Sequence, residues 1–196
     1  MKSMKNYFPQ TRNHKQKGMT LLETLVVLAI FSAFIGLVAV GYSVWKKSQG
    51  TSEGRYISFT LGCAIQSINA PNFAATTLAT LVNKDCFGDG SNVLGKGTAT
   101  ATANSKLANA VYVVAPVGLS GGTNNGIQVT TGPVSKRSCA GLVAALDDGA
   151  SRIVVTPTGG TAVTVKPDNG ALNDDAMGLA CNSANTASIA SAAGRS

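Results

Sequence analysis

Residues 18–45 read GMTLLETLVVLAIFSAFIGLVAVGYSVW, and the twenty-two positions from Thr24 to Trp45 carry no charge. A helix over that run, rising 1.5 Å per residue, is about 33 Å long, which matches the hydrocarbon core of a bilayer. Glu23 stands at the head of the run with Leu21 and Leu22 before it. An isolated carboxylate in hydrocarbon costs at least ~2.5–3.5 kcal/mol, so either Glu23 stays hydrated at headgroup level or something answers its charge. A cut after Gly18 would supply that partner, because Met19 would then carry a new ammonium four residues from Glu23, on the same helical face.

The flanks orient the run. Residues 1–18 hold Lys2, Lys5, Arg12, Lys15 and Lys17 and no acid, whereas only Lys46 and Lys47 follow the apolar stretch. The positive-inside rule keeps the amino terminus cytoplasmic and places the rest of the chain outside the cytoplasm. The net charge of +7 also belongs mostly to this leader, since the remaining residues carry eleven bases against nine acids. Lys46/Lys47 and Lys136/Arg137 read as short pairs without interleaved aromatics, so no direct nucleic-acid binding is expected. A general secretory signal would have a 7–15-residue apolar core ending in a small-x-small cleavage site. This run is longer and passes into Gly41-Tyr42-Ser43-Val44-Trp45.

Gly18-Met19-Thr20-Leu21-Leu22-Glu23, behind a basic leader and ahead of about twenty apolar residues, resembles the class III signal of type IV prepilins. The resemblance implies that a prepilin peptidase cuts between Gly18 and Met19 and methylates the Met19 amine, and that Glu23 pairs with that amine during assembly. Met at the new terminus and an eighteen-residue leader are similar to the type IVb branch. The implied fold is α+β, a long amino-terminal helix packed on an antiparallel sheet domain with disulfides. The implied partners are other copies in a helical filament, the peptidase, an inner-membrane assembly platform, an assembly ATPase and an outer-membrane secretin.

The chain thus divides into a cleaved leader (1–18), a transmembrane and polymerisation helix (19–45), an amphipathic continuation (46–69) and a globular head (70–196). A helix from Met19 to about Ile68 is ~75 Å long, more than twice the hydrocarbon thickness. Beyond Trp45, Ile57, Leu61, Ala64/Ile65 and Ile68 recur at intervals of three or four and form one stripe to pack on the head. Gly36 and Gly41 each weaken the helix by ~1 kcal/mol relative to Ala, which suits either unwinding during assembly or close helix packing.

In the head, a short helix is expected near Thr76–Val82 and a longer one over Ser135–Leu146, ended by Asp147-Asp148-Gly149. Strand-like runs are Ala110–Ala115, Ile127–Thr131, Arg152–Thr156 and Ala162–Val165, each bounded by Gly, Pro or Asn. The TATATA run at Thr98–Ala103 and the Ala/Ser-rich end from Asn182 read as exposed loop and tail. Four cysteines, Cys63, Cys86, Cys139 and Cys181, in an oxidising compartment favour two disulfides, with three connectivities open. Cys63–Cys86 and Cys139–Cys181 are the preferred pairs, the second because it resembles the bridge that closes the carboxy-terminal region of pilins and the first because it would tie a loop to the long helix.

His14 is the only histidine and lies in the leader, so a processed chain has no imidazole for a nucleophile-base pair or a His-liganded zinc. Asp147/Asp148 and Asp174/Asp175 do not follow the EF-hand spacing, and Gly118–Gly122 is neither a phosphate loop nor a nucleophile elbow. No catalytic residue, metal or cofactor is expected. The reading is a pilin that polymerises into an extracellular type IVb pilus, first held in the bacterial inner membrane as a prepilin. A minor pilin or type II secretion pseudopilin would share the cut site and Glu23, although pseudopilins often lack paired cysteines. A membrane-anchored binding domain that never polymerises is the alternative of another class.

Overall fold

A computed structural model describes residues 21–69, 72–88, 92–107 and 109–195. The chain separates into two compact units, Met1–Val40 and Gly41–Ser196. In chain order the elements are α1 (Leu21–Ser67), α2 (Leu78–Asn83), β1 (Val93–Leu94), β2 (Thr102–Ala103), β3 (Val113–Val117), β4 (Gly126–Ser135), α3 (Lys136–Leu146), β5 (Arg152–Pro157), β6 (Val163–Lys166), α4 (Asp174–Asn182) and β7 (Thr186–Gly194). The second unit begins inside α1, so the amphipathic continuation of that helix is built into the head.

From Gly50 onward α1 buries one face, made of Gly50, Glu53, Gly54, Ile57, Thr60, Leu61 and Ala64. Ile57, Leu61, Ala64 and Ile68 are core residues as the spacing predicts, and Ile65 is half-buried against them. The stripe starts two turns before its first large apolar residue because its opening members are small or polar. A Cβ on Gly54 would lie 2.6 Å from the Leu142 carbonyl oxygen, and one on Gly50 2.2 Å from that of Ser138. Backbone therefore meets backbone where α1 crosses α3, a contact only glycine allows. Ser138 Oγ donates to the Lys46 carbonyl at 3.1 Å and Ser58 Oγ to that of Ala145 at 3.2 Å, which fixes the crossing at both ends.

The main sheet is fully antiparallel in the order β3-β4-β7-β5-β6, and β1 and β2 form a separate pair. Ser191 of β7 lies between Val129 of β4 and Ile153 of β5, and Ile189 between Thr131 and Val155. All six are buried. The four sequence-predicted strands correspond to β3–β6 with shifted ends, and the two predicted head helices to α2 and α3. α2 starts at a capping box in which the Thr80 N–H donates to Thr77 Oγ1 at 3.2 Å.

Two expectations are corrected. The Ala/Ser-rich end is no tail, because β7 is the central strand of the sheet. Its Ala187, Ile189, Ser191, Ala192 and Ala193 are buried. Small side chains carry little apolar area, so their burial leaves a weak pattern, and only pairing on both sides makes this segment a strand. The TATATA run is likewise not an exposed loop throughout, since Ala101 and Ala103 are buried and Thr102–Ala103 form β2. The acidic pairs have local roles. Asp147 caps α3 and its Oδ1 accepts from Lys166 Nζ at 2.7 Å, while Asp174 and Asp175 occupy the first turn of α4, where the helix field favours acids.

Candidate assembly site

The first part of α1 is long and apolar enough to cross a membrane. Its large side chains are exposed, among them Leu21, Leu25, Phe31, Phe34, Ile35 and Leu37. The hydroxyls within it bond to the helix itself, Thr24 Oγ1 to the Leu21 carbonyl at 2.8 Å and Ser32 Oγ to that of Ala29 at 2.9 Å. Both hydroxyls are then satisfied inside the segment, as an apolar solvent or a fibre core requires. Gly36 and Gly41 are helical, with nothing within 4 Å of a Cβ placed on either. Glu23 lies in the first turn of α1. Gly18 and Met19, the expected cut site and methylated amine, lie outside the described residues.

Where the apolar run ends, the second unit gathers two aromatic rings and four bases. Lys46 Nζ lies 5.0 Å from the centroid of the Trp45 ring and 5.8 Å from that of Tyr42. Arg137, from the first turn of α3, brings its Cζ to 5.3 Å from the same Tyr42 ring. All three distances suit a cation over an aromatic face. Lys46 and Arg137, ninety-one residues apart in the chain, thus meet over one ring through the α1–α3 crossing, and Lys47 and Lys136, their neighbours in sequence, are exposed. Sequence reading kept these pairs separate, and the Gly50-x-x-x-Gly54 spacing was the signal that could have joined them.

Farther along α1, Tyr112 Oη donates to the carboxylate of Glu53 in the core, with Glu53 6% and Tyr112 1% exposed. Burial, and then the neighbouring Glu53 charge and hydrogen bond, push the Tyr112 phenol well above its ordinary range. Tyr56 shifts the same way, mainly through burial, partly offset by the Asn92 hydrogen bond and supported by the Glu53 charge. Tyr56 Oη donates to the Phe87 carbonyl at 2.5 Å. Trp45, Glu53, Tyr56 and Lys106 line a cleft of about 500 Å³ beside this pair. No sequence signal singled out Glu53, since a lone acid on an amphipathic helix ordinarily faces water.

The four cysteines pair as Cys63–Cys86, joining α1 to the turn after α2, and Cys139–Cys181, joining α3 to α4. Both bridges brace the head around the helix that carries the apolar segment.

The prokaryotic N-terminal methylation motif matches residues 13–39, a span that includes Gly18, Met19 and Glu23. The fold is that of a type IV pilin, a long amino-terminal helix with an antiparallel sheet and two disulfides. Among solved structures, the chain is similar to a type IV b pilin from Salmonella typhi, with a TM-score of 0.51 and 19% identity, covering 74% of this chain and 96% of that one. It also resembles TcpA, a type IV pilin from the Vibrio cholerae El Tor biotype, at a TM-score of 0.46 and 12% identity, covering 76% of this chain and 99% of that one. Comparison with curated protein sequences gives no match.

Proposed function

We propose that this chain is a structural subunit that polymerises through α1 into an extracellular type IVb pilus. The observation that carries the reading is α1 itself, whose exposed apolar length opens on Glu23 and continues into a disulfide-braced head. In the inner membrane the apolar part spans the bilayer with the leader cytoplasmic and the head outside. A prepilin peptidase cuts between Gly18 and Met19 and the new amine is methylated. An assembly platform, an ATPase and an outer-membrane secretin then handle the subunit.

The energetics divide between two groups. Apolar half-helices leaving lipid for a fibre core supply cohesion without register, at ~25 cal/mol per Å² for area withdrawn from any remaining water. Register comes from charge, because Glu23 is tolerated in that core only where the Met19 ammonium of a neighbouring copy meets it. Mass spectrometry of material made beside a prepilin peptidase tests the reading, with an amino terminus at methylated Met19 expected. A retained leader or a cut after Trp45 overturns it. Glu23→Ala should be processed normally yet fail to assemble, and a normal fibre yield would refute the pairing.

A further inference from the structure

The cation–π contacts of Lys46 and Arg137 hold Tyr42 and Trp45 in place but leave the positive charge of Lys46, Lys47, Lys136 and Arg137 unanswered. Among the described residues none of the cluster's four bases is paired with an acid. Residues 41–52 and 135–146, the two segments that build it, contain no Asp or Glu. Two of the bases occupy the first turn of α3, where the helix field favours acids instead. Lys46 and Arg137 approach one ring from different helices, so like charges are drawn together without an internal counterion. Lys47, Lys136 and Arg137 are exposed, as are Tyr42 at 47% and Trp45 at 54%.

We infer that this collar docks on an anionic phospholipid surface and seats the head against the outer face of the membrane until the subunit enters a fibre. The occupant follows from where the collar falls. It begins as the uncharged run of α1 ends at Trp45, and Tyr and Trp are the side chains that settle at headgroup level. Acidic headgroups supply the missing countercharge, at a range limited by ionic strength. The collar exists only after folding. During insertion Lys46 and Lys47 alone flank the segment, so the leader's five bases still set orientation; Lys136 and Arg137 arrive when α3 packs on α1.

The inference rests on the membrane-held subunit proposed above, and one experiment separates the two. Trp45 is the only tryptophan in the chain, so its emission reports on the collar directly. The full chain is reconstituted in vesicles of phosphatidylcholine, with or without phosphatidylglycerol, and Trp45 is quenched with neutral acrylamide. Phosphatidylglycerol should shift the emission to the blue and protect Trp45, and ~1 M salt, where the Debye length is about 3 Å, should reverse both. Lys136→Ser with Arg137→Ser should abolish the lipid dependence, while Arg137→Lys alone should retain it. Equal quenching in both lipids, or full protection in the double variant, overturns the inference. Inorganic phosphate reproducing the protection on phosphatidylcholine vesicles would overturn the commitment to lipid. A double variant with an unchanged Trp45 response but no fibres would assign the collar to a neighbouring copy instead. A chain that does not float with vesicles at all sinks the membrane-held reading, and the inference with it.

Discussion

The guanidinium of Arg195 donates to the carbonyl of Ile65 at 2.8 Å, across 130 residues of sequence, and also to the carbonyl of Ile68. α1 has no base in its own last turn, so its final carbonyls are met by a cation from the far end of the chain. Arg195 follows β7 directly, and its own N–H donates to the Asn125 carbonyl at 3.1 Å. One residue thereby ties the helix end to the sheet.

Arg195→Ala should lower the stability of the full-length protein in detergent by about 1–2 kcal/mol, the value of charge-assisted bonds at a partly exposed site. Arg195→Lys should recover only part of this, because an ammonium lacks the planar fork. An unchanged urea midpoint for the alanine variant would contradict the capping role.

The Glu53–Tyr112 bond sets an alkaline limit. Folded Tyr112 holds its proton at a pH where an unfolded tyrosine, titrating near 10, releases it. Its contribution is complete below about pH 10 and is lost as the pH rises further, with Tyr56 acting in the same direction. Tyr112→Phe should cost about 1–3 kcal/mol at neutral pH by leaving a buried carboxylate without its donor. The same variant should show a shallower loss of stability above pH 10 in urea titrations.

Glycines of one helix should respond oppositely to the same change. Gly54→Ala puts a methyl against the Leu142 carbonyl and should destabilise by about 1–3 kcal/mol, despite a gain of ~1 kcal/mol in helix propensity. Gly62→Ala meets nothing within 4 Å and should stabilise by up to ~1 kcal/mol. Thermal unfolding of the two variants side by side decides the matter, and equal shifts would argue against a tight α1–α3 crossing.

Removing the Cys139–Cys181 bridge with paired serines should destabilise the head by about 2–5 kcal/mol. α3 and α4 lose their covalent link, so protease sensitivity should rise in α4 before it rises in α1. Limited proteolysis with mapped cleavage sites would show this order or refute it.

How far the sequence could be read depended on the range of each interaction. An unbroken apolar run, the three-to-four spacing from Ile57 to Ile68 and short apolar runs bounded by Gly, Pro or Asn are local, and they yielded the long helix, its amphipathic continuation and the strands from β3 to β6. β7 escaped notice because Ala and Ser declare no period strongly, and its place in the centre of the sheet comes from pairing with β4 and β5. Glu53 looked like any surface acid until Tyr112 arrived from 59 residues away. The basic collar and the Arg195 cap arise the same way, through residues brought together by the α1–α3 crossing and the closing strand. Covalent order alone sufficed for the apolar segment, since a helix satisfies its own backbone and an uncharged surface needs no partner to be recognised. Burial of a charge or a small residue is a property of its neighbours, and those were chosen by the folded chain.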